Sequence, residues 1–125
     1  IGEPFLGWQQ VAMETAARLA QLPADTVLVA DNFLIAAQLD FALGGARPVY
    51  VLDHPRNTKH GRQKQLALWR RDQTALITLR APHLLIVVEE NALYASETLP
   101  FYRSLCADFP GAVVVAERSQ GRYPR

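Results

Sequence analysis

A chain of 125 residues with a formal net charge of +1 has room for one ordinary domain, and its charge gives no overall preference for nucleic acid or an anionic membrane. Half of the residues are apolar and a fifth are charged, a balance typical of soluble globular proteins. The single cysteine, Cys106, excludes an internal disulfide and a cysteine-rich metal site. No apolar run approaches the roughly 20 residues of a membrane-spanning helix.

Apolar patterning predicts alternating helices and strands along the chain. Spacings of three and four residues are typical of helices, whereas short, continuous apolar runs between turn signals are typical of strands covered on both faces. In chain order we expect a helix over 7–22, a strand over 26–30, a helix from 31 or 32 to 44, a strand over 48–52, a loop over 53–60, a helix from 61 to about 69, a strand over 83–88, a helix over 93–109 and a strand over 112–116. Residues 74–79 fit either a helix end or a short strand.

This order of elements predicts an α/β fold. Alternating helices and buried strands favour a parallel sheet that is covered by helices on both faces and joined by right-handed crossovers. We expect residues 1–125 to form a single soluble α/β domain, a three-layer sandwich around a mostly parallel, Rossmann-like sheet of about four strands. The sequence lacks a glycine-rich phosphate loop, whether of the dinucleotide type or the P-loop type, and this argues against a nucleotide cofactor.

Polar residues collect where the predicted strands end, at the edge of a parallel sheet where ligands usually bind. Asp31 and Asn32 follow the first strand, Asp53 follows the second, and Glu90 follows the third. Asp31 or Asn32 can cap the next helix, or Asp31 can face the crevice and accept hydrogen bonds from a ligand. If the first and third strands are neighbours, Asp31 and Glu90 can act as paired carboxylates. Solvated strand ends explain the same residues equally well.

A basic segment follows the second strand, because six of the thirteen Lys and Arg residues lie between Arg56 and Arg71. The pattern fits a mobile, solvated loop that leads into an exposed helix face, or an anion site for a phosphate or a lipid headgroup. Within the segment, Arg62 is the candidate cationic contact, and Gln65 shares a helical face with Trp69. We expect Trp69 to lie in the core.

The sequence predicts neither a catalytic residue nor a metal site. His54 and His60 have no acidic or sulfur ligands at a spacing typical of zinc sites, and no nucleophile motif surrounds Ser96, Ser104 or Cys106. No cofactor is predicted. If a ligand binds, we expect it at the carboxyl edge of the sheet. The candidate ligand-binding residues are Asp31, Asn32, Asp53, Arg62, Gln65 and Glu90.

An ordered series of short motifs resembles a known family. The motifs are Gly7-Trp8 at the head of a helix, Ala30-Asp31 at the end of a strand, the helical segment 37–44, the strand 48–52, and Arg62, Gln65 and Leu68-Trp69. They resemble the soluble carboxyl-terminal region of bacterial membrane glycosyltransferases. These are the polyprenyl-phosphate-sugar-dependent enzymes similar to dolichyl-phosphate-mannose mannosyltransferases and aminoarabinose transferases. The likeness covers roughly residues 8–69, and the chain departs from the family pattern at Gln38, Asp40, Lys64 and Ala67.

The resemblance implies that the reaction takes place outside this chain. In such enzymes a membrane domain holds the catalytic carboxylates and the lipid-linked donor on the periplasmic side, and the soluble domain is not the catalytic centre. We therefore expect a periplasmic accessory domain at the bacterial inner membrane, the C-terminal part of a longer membrane-anchored protein. A start without an initiator Met or a leader favours the same interpretation.

The resemblance also implies partners. The expected partner is the membrane domain of the same polypeptide, with a lipid-linked sugar or a glycan acceptor as a further contact, and neither nucleic acid nor a nucleotide cofactor is expected. Two alternatives remain open at this point. One is a free-standing α/β enzyme or binding protein for a small anionic metabolite or sugar phosphate. The other is a protein-interaction module.

Overall fold

A computed structural model of the chain describes residues 2–54, 57, 61–89 and 93–113, with the backbone alone for residues 2–8. The chain divides into two compact units, Ile1–Glu89 and Glu90–Arg125. The elements of the first unit are α1 (Gly2–Gln21), β1 (Val27–Ala30), α2 (Phe33–Ala42), β2 (Val49–Val51), α3 (Arg62–Leu68), α4 (Gln73–Leu79) and β3 (Leu84–Val87). The second unit contains α5 (Ala95–Asp108). Within the described ranges, no helix combines the length and apolar character needed to cross a bilayer.

The first unit is built on an open, parallel sheet of three described strands in the order β2-β1-β3. At one end of the sheet Ala30 is paired with Val51 on one side and with Val87 on the other. The predicted α/β class and parallel sheet are therefore confirmed, and the first and third strands are neighbours. Of the predicted fourth strand, Ala112 and Val113 are not in a strand, and residues 114–116 lie outside the described residues. The prediction of one domain over 1–125 stays a prediction.

The core of the first unit lies around β1, the central strand. Leu28, Val29 and Ala30 are fully buried, as expected of a continuous apolar strand covered on both faces. Helix α2 packs against β1, β2 and α1, and its buried residues Ile35 and Leu39 fill the space over the sheet. By contrast, all four residues of β3 are only half-buried, although Val49 and Val51 of β2, the other edge strand of the described sheet, are buried.

Helix boundaries follow local chemistry. Helix α1 begins at Gly2, five residues before the predicted start, and Pro4 lies in its first turn, where proline is tolerated because no N–H is needed. The ambiguous residues 74–79 form most of α4, whose N-terminus is capped by the Asp72 carboxylate accepting the Ala75 N–H at 3.0 Å. Helix α2 ends as predicted at a glycine pair, because Gly44 and Gly45 both have positive φ.

The expectation of a buried Trp69 is wrong. Trp69 is 63% exposed, and Leu66 is the buried residue of α3. The helix ends at Leu68 in a tight reversal, in which the Arg70 N–H donates to the Ala67 carbonyl and the Arg71 N–H donates to the Leu66 carbonyl. Arg70 takes the left-handed conformation that this reversal requires, with φ 56°. The reversal leaves the indole of Trp69 on the surface.

Candidate functional site

Asp31 lies at the carboxyl end of β1 and is fully buried. Its Oδ1 accepts a hydrogen bond from the Asn32 Nδ2 at 3.0 Å, and its Oδ2 accepts one from the Glu89 N–H at 3.1 Å. Its own N–H donates to the Val87 carbonyl at 3.1 Å. The carboxylate therefore joins the ends of β1 and β3, and each of its oxygens accepts a hydrogen bond from within the protein.

Two asparagines satisfy the free N–H groups at the start of α2. The Asn32 Oδ1 accepts from the N–H groups of Leu34 and Ile35 at 2.9 and 3.2 Å, which confirms the predicted helix cap. The Asn57 Oδ1 accepts from the Phe33 N–H at 2.9 Å. The first three N–H groups of α2 thus all have side-chain acceptors. In parallel α/β folds this helix end is where a phosphate would bind, and here protein side chains take its place.

Asn57 was not among the predicted site residues. Its side chain is fully buried, and its Nδ2 donates to the Leu52 carbonyl at 2.9 Å while its N–H donates to the His54 carbonyl at 2.9 Å. His54 is also buried, and the burial of Asn57 contradicts a solvated loop at that position. No local pattern marks Asn57, because its acceptor oxygen pairs with a residue 24 positions away. A buried amide is costly without such partners.

The predicted polar residues of the basic segment lie on an exposed helix face, as expected for α3. The Arg62 Nη1 donates to the Gln65 Oε1 at 2.9 Å, and the Arg62 Cζ lies 5.4 Å from the centre of the Phe33 ring. A guanidinium at this distance from an aromatic face is in a cation–π contact. Because Phe33 follows Asn32, this contact places Arg62 near the start of α2.

The other predicted residues take separate positions. Asp53 is exposed, its N–H donates to the Gln73 Oε1 at 2.9 Å, and its Oδ1 accepts from the Gln63 Nε2 at 3.2 Å. Glu90 lies outside the described residues, so its proposed pairing with Asp31 stays a prediction. The structure thus brings Asp31 to Asn32, Arg62 to Gln65, and Asp53 to Gln63 and Gln73. Their role in ligand binding also stays a prediction.

A second concave surface, which sequence reasoning missed, lies along β2. We call this groove, of about 410 Å³, the β2 groove. Its lining includes the apolar residues Val49 and Leu66, together with Asp40, Arg47, Trp69 and Arg71, which we call the rim. The sequence signal for this surface was the run Trp69-Arg70-Arg71 directly after a helix.

Comparisons of this chain with protein-family models, with curated proteins and with solved structures found no match. Among the residues that the structure describes, no group of three or more His, Cys, Asp or Glu side chains could hold a metal ion. At the carboxyl edge both Asp31 oxygens and the first three N–H groups of α2 are engaged in hydrogen bonds within the fold. In the β2 groove cationic and aromatic side chains are partly exposed.

Proposed function

We propose that this chain is an accessory domain, not itself catalytic, of a bacterial membrane glycosyltransferase that uses a polyprenyl-phosphate sugar. In this proposal the domain lies on the periplasmic side of the inner membrane and acts with the membrane domain of the same polypeptide. The membrane domain binds the lipid-linked donor and performs the transfer. The accessory domain shapes the access of the acceptor.

The ordered motifs support the resemblance, and the fold is compatible with it. The motif residues from Ala30 to Trp69 fall on β1, α2, β2 and α3 in that order, which is the strand–helix–strand unit that the motif series implies. Leu39 of the helical motif is buried in the core, and Val49 and Val51 of the strand motif pack in the same cluster. These motif residues therefore have a structural reason to occur together.

The observation that carries the non-catalytic role is the hydrogen bonding at the carboxyl edge. Both Asp31 oxygens accept hydrogen bonds from groups of the fold, and the first three N–H groups of α2 donate to Asn32 and Asn57. A general base at this position needs a carboxylate that a ligand can reach, whereas Asp31 is fully buried, and a phosphate cradle needs N–H groups directed at the ligand. Here the same groups hold β1, β3 and α2 together.

The proposal includes a fuller fold than the described sheet. We propose that the complete fold has a sheet of about four strands and that helices cover both of its faces to form three layers. The apolar residues Val114 and Val115 support a further strand that begins after Val113, since β-branched residues favour extended backbone. Hydrogen-exchange protection of the backbone N–H groups over 114–116 would support this strand, and free exchange there would contradict it.

The reading frame that encodes this chain provides the first test. A run of membrane-spanning helices before Ile1 is the expected result. A reading frame with no such run would contradict the proposal, because the domain would then have no membrane partner within its own polypeptide.

The second test separates an accessory role from a catalytic one. In membranes that contain the full-length protein, we would delete residues 1–125 and measure two rates: sugar transfer to the acceptor, and the slow hydrolysis of the polyprenyl-phosphate sugar by water. An accessory domain predicts a large loss of transfer with hydrolysis retained. Loss of both rates from a deletion protein that still inserts and purifies normally would place the chemistry in this chain.

A point substitution refines the same assay. Arg62→Ala removes the exposed guanidinium at the carboxyl edge, and Lys64→Ala on the same helix is the matched control because it also removes one exposed cation. If this edge binds an anionic ligand, Arg62→Ala lowers transfer and Lys64→Ala does not. Equal transfer by both folded variants would indicate that Arg62 has a structural role.

A further inference from the structure

The outer side of β2 is only partly covered by the rest of the described chain. Backbone groups of successive strand residues point alternately to the two sides. The Leu52 N–H donates to the Ala30 carbonyl of β1 at 2.9 Å, whereas the Val51 N–H donates to the Arg71 carbonyl at 2.7 Å on the opposite, outer side. Val49 lies two residues before Val51, so its N–H and carbonyl point to that same outer side.

The covered part of this edge ends at Arg71. Among the described residues, Arg71 is the one whose backbone pairs with the outer side of β2, and it does so at Val51. Val49, two residues before this pairing, lines the β2 groove. An edge strand with unpaired N–H and carbonyl groups is a template for an added strand.

The rim of the β2 groove supplies an apolar platform and positive charge. Trp69 is 63% exposed, and an exposed indole provides a large, rigid contact area. Arg47 and Arg71 line the groove together with Asp40, so two cationic side chains stand against one acidic side chain. A bound segment would therefore gain from carrying negative charge.

Both guanidinium groups are held in place by other parts of the fold. The Arg47 Nη1 donates to the Thr26 carbonyl at 2.6 Å, and the Arg71 Cζ lies 5.4 Å from the centre of the Tyr50 ring. An arginine has five N–H donors, so one hydrogen bond leaves others for a carboxylate. Fixed side chains lose less conformational entropy when a ligand binds.

We propose that the β2 groove binds an extended, acidic peptide segment, which adds as a strand beside Val49. Its backbone pairs with the outer side of β2, an apolar side chain lies against Trp69, and carboxylates pair with Arg47 and Arg71. Main-chain pairing of this kind provides affinity, and the side-chain contacts provide specificity. The inference concerns binding by the chain itself and does not depend on the proposed membrane glycosyltransferase.

An acidic peptide fits these features better than a small anion does. A free phosphate or sugar phosphate would pair with the guanidinium groups. It could not, however, form the backbone hydrogen bonds with the N–H and the carbonyl of Val49 that an added strand would form. It would also leave the indole of Trp69, which is exposed, in contact with water. An extended segment can contact the strand edge, the indole and the guanidinium groups together.

The test is isothermal titration of the purified chain with a capped tetrapeptide of alternating glutamate and valine. Three comparison ligands are the same peptide with lysine in place of glutamate, the same peptide N-methylated at alternate residues, and glucose 1-phosphate. We expect the glutamate peptide to bind at least about tenfold more tightly than any of the three, which corresponds to about 1.4 kcal/mol. Its affinity should fall as salt is added, since the rim contacts are ionic.

Variants of the chain locate the site. Trp69→Ala should weaken binding of the glutamate peptide by at least about fivefold, whereas Leu68→Ala should not change it. Leu68 is the matched control because it is 81% exposed, adjacent in sequence and outside the groove lining. Arg71→Gln keeps the backbone carbonyl that pairs with Val51 and should weaken binding by a similar factor to Trp69→Ala.

Several results would overturn the inference. The first is that the lysine peptide or the N-methylated peptide binds as tightly as the glutamate peptide. The second is that glucose 1-phosphate binds and the glutamate peptide does not. The third is that the glutamate peptide gives no heat of binding at millimolar concentration. Equal affinity for the Trp69→Ala and Leu68→Ala variants would place the peptide elsewhere. Neither result of the peptide titration affects the proposed accessory role in a membrane glycosyltransferase, because the sugar-transfer assay tests that role separately.

Discussion

The backbone N–H of Phe33 donates to the side-chain Oδ1 of Asn57 at 2.9 Å, across 24 residues of sequence. The same amide donates from Nδ2 to the Leu52 carbonyl at 2.9 Å. One buried side chain therefore connects the first N–H of α2 with the chain that leaves β2. Because the amide has both a donor and an acceptor engaged, truncating it leaves two backbone groups without partners.

The first prediction concerns Asn57→Ala. We expect the free energy of unfolding to fall by about 2 to 3 kcal/mol, because the Phe33 N–H and the Leu52 carbonyl lose their hydrogen bonds in a buried environment. Urea unfolding followed by circular dichroism measures the change. Lys64→Ala, an exposed substitution on α3, is the control and should stay within about 0.5 kcal/mol. A loss for Asn57→Ala no larger than that of the control would contradict the buried bridge.

The second prediction concerns the cap of α2. Asn32→Ala should lower the free energy of unfolding by about 1 to 2 kcal/mol, since the N–H groups of Leu34 and Ile35 lose their acceptor. Asn32→Ser should retain most of that stability, because a serine hydroxyl also caps helices, although it cannot replace the donor to Asp31. Urea unfolding followed by circular dichroism measures both variants. If Asn32→Ser lowers the free energy of unfolding as much as Asn32→Ala does, the loss of stability does not come from the helix cap.

The third prediction concerns Arg80, which ends α4 in the left-handed region with φ 54°. A left-handed conformation costs a residue with a Cβ about 1 to 2 kcal/mol, whereas glycine adopts it freely. Arg80→Gly should therefore raise the free energy of unfolding by about 1 kcal/mol, after allowance for the greater freedom of glycine in the unfolded chain. The change is read as an increase in Tm.

Arg80→Ala is the control for this experiment, because alanine removes the same charge and keeps the strained backbone. It should give no increase in Tm. An equal rise for alanine and glycine would attribute the gain to the loss of the side chain, and the conformational explanation would be rejected.

The fourth prediction concerns the contact between Arg62 and Phe33. A double-mutant cycle with Arg62→Gln and Phe33→Leu should give a coupling energy of about 0.5 kcal/mol, which is the usual size of a cation–π contact at an exposed site. Glutamine keeps a polar side chain of similar length, so packing changes are small. A coupling energy of zero would show that the 5.4 Å approach contributes nothing to stability.

The parts of the fold that could be predicted from the sequence are those with local signals. The apolar run of β1, the cap at Asn32 and the glycine pair after α2 each depend on residues within a few positions of one another. The exposure of Trp69 could not be predicted in this way. It follows from the left-handed turn at Arg70, a position that normally favours glycine and that carries no glycine signal here.

The candidate sites also contain some features that local sequence signals predict and others that depend on tertiary contacts. Asp31 and Asn32 were placed correctly at the strand end, because the alternation of elements fixes that edge. The bonds from the Leu34 and Ile35 N–H groups to Asn32 are local, whereas the bond from the Glu89 N–H to Asp31 depends on the pairing of β1 with β3, which is a tertiary property. The β2 groove combines residues from α2, β2 and α3, so no sequence window contains it.

The long reach of Asn57 also has a consequence for the order of folding. Helix α2 has ten residues, and a helix this short is marginal when isolated. Its first N–H obtains an acceptor only after the chain has closed a loop of more than twenty residues, and loop closure carries an entropic cost before the contact forms. We therefore expect a synthetic peptide covering β1, α2 and β2 to fray at Phe33, and full helicity to appear only when the polypeptide continues past Asn57.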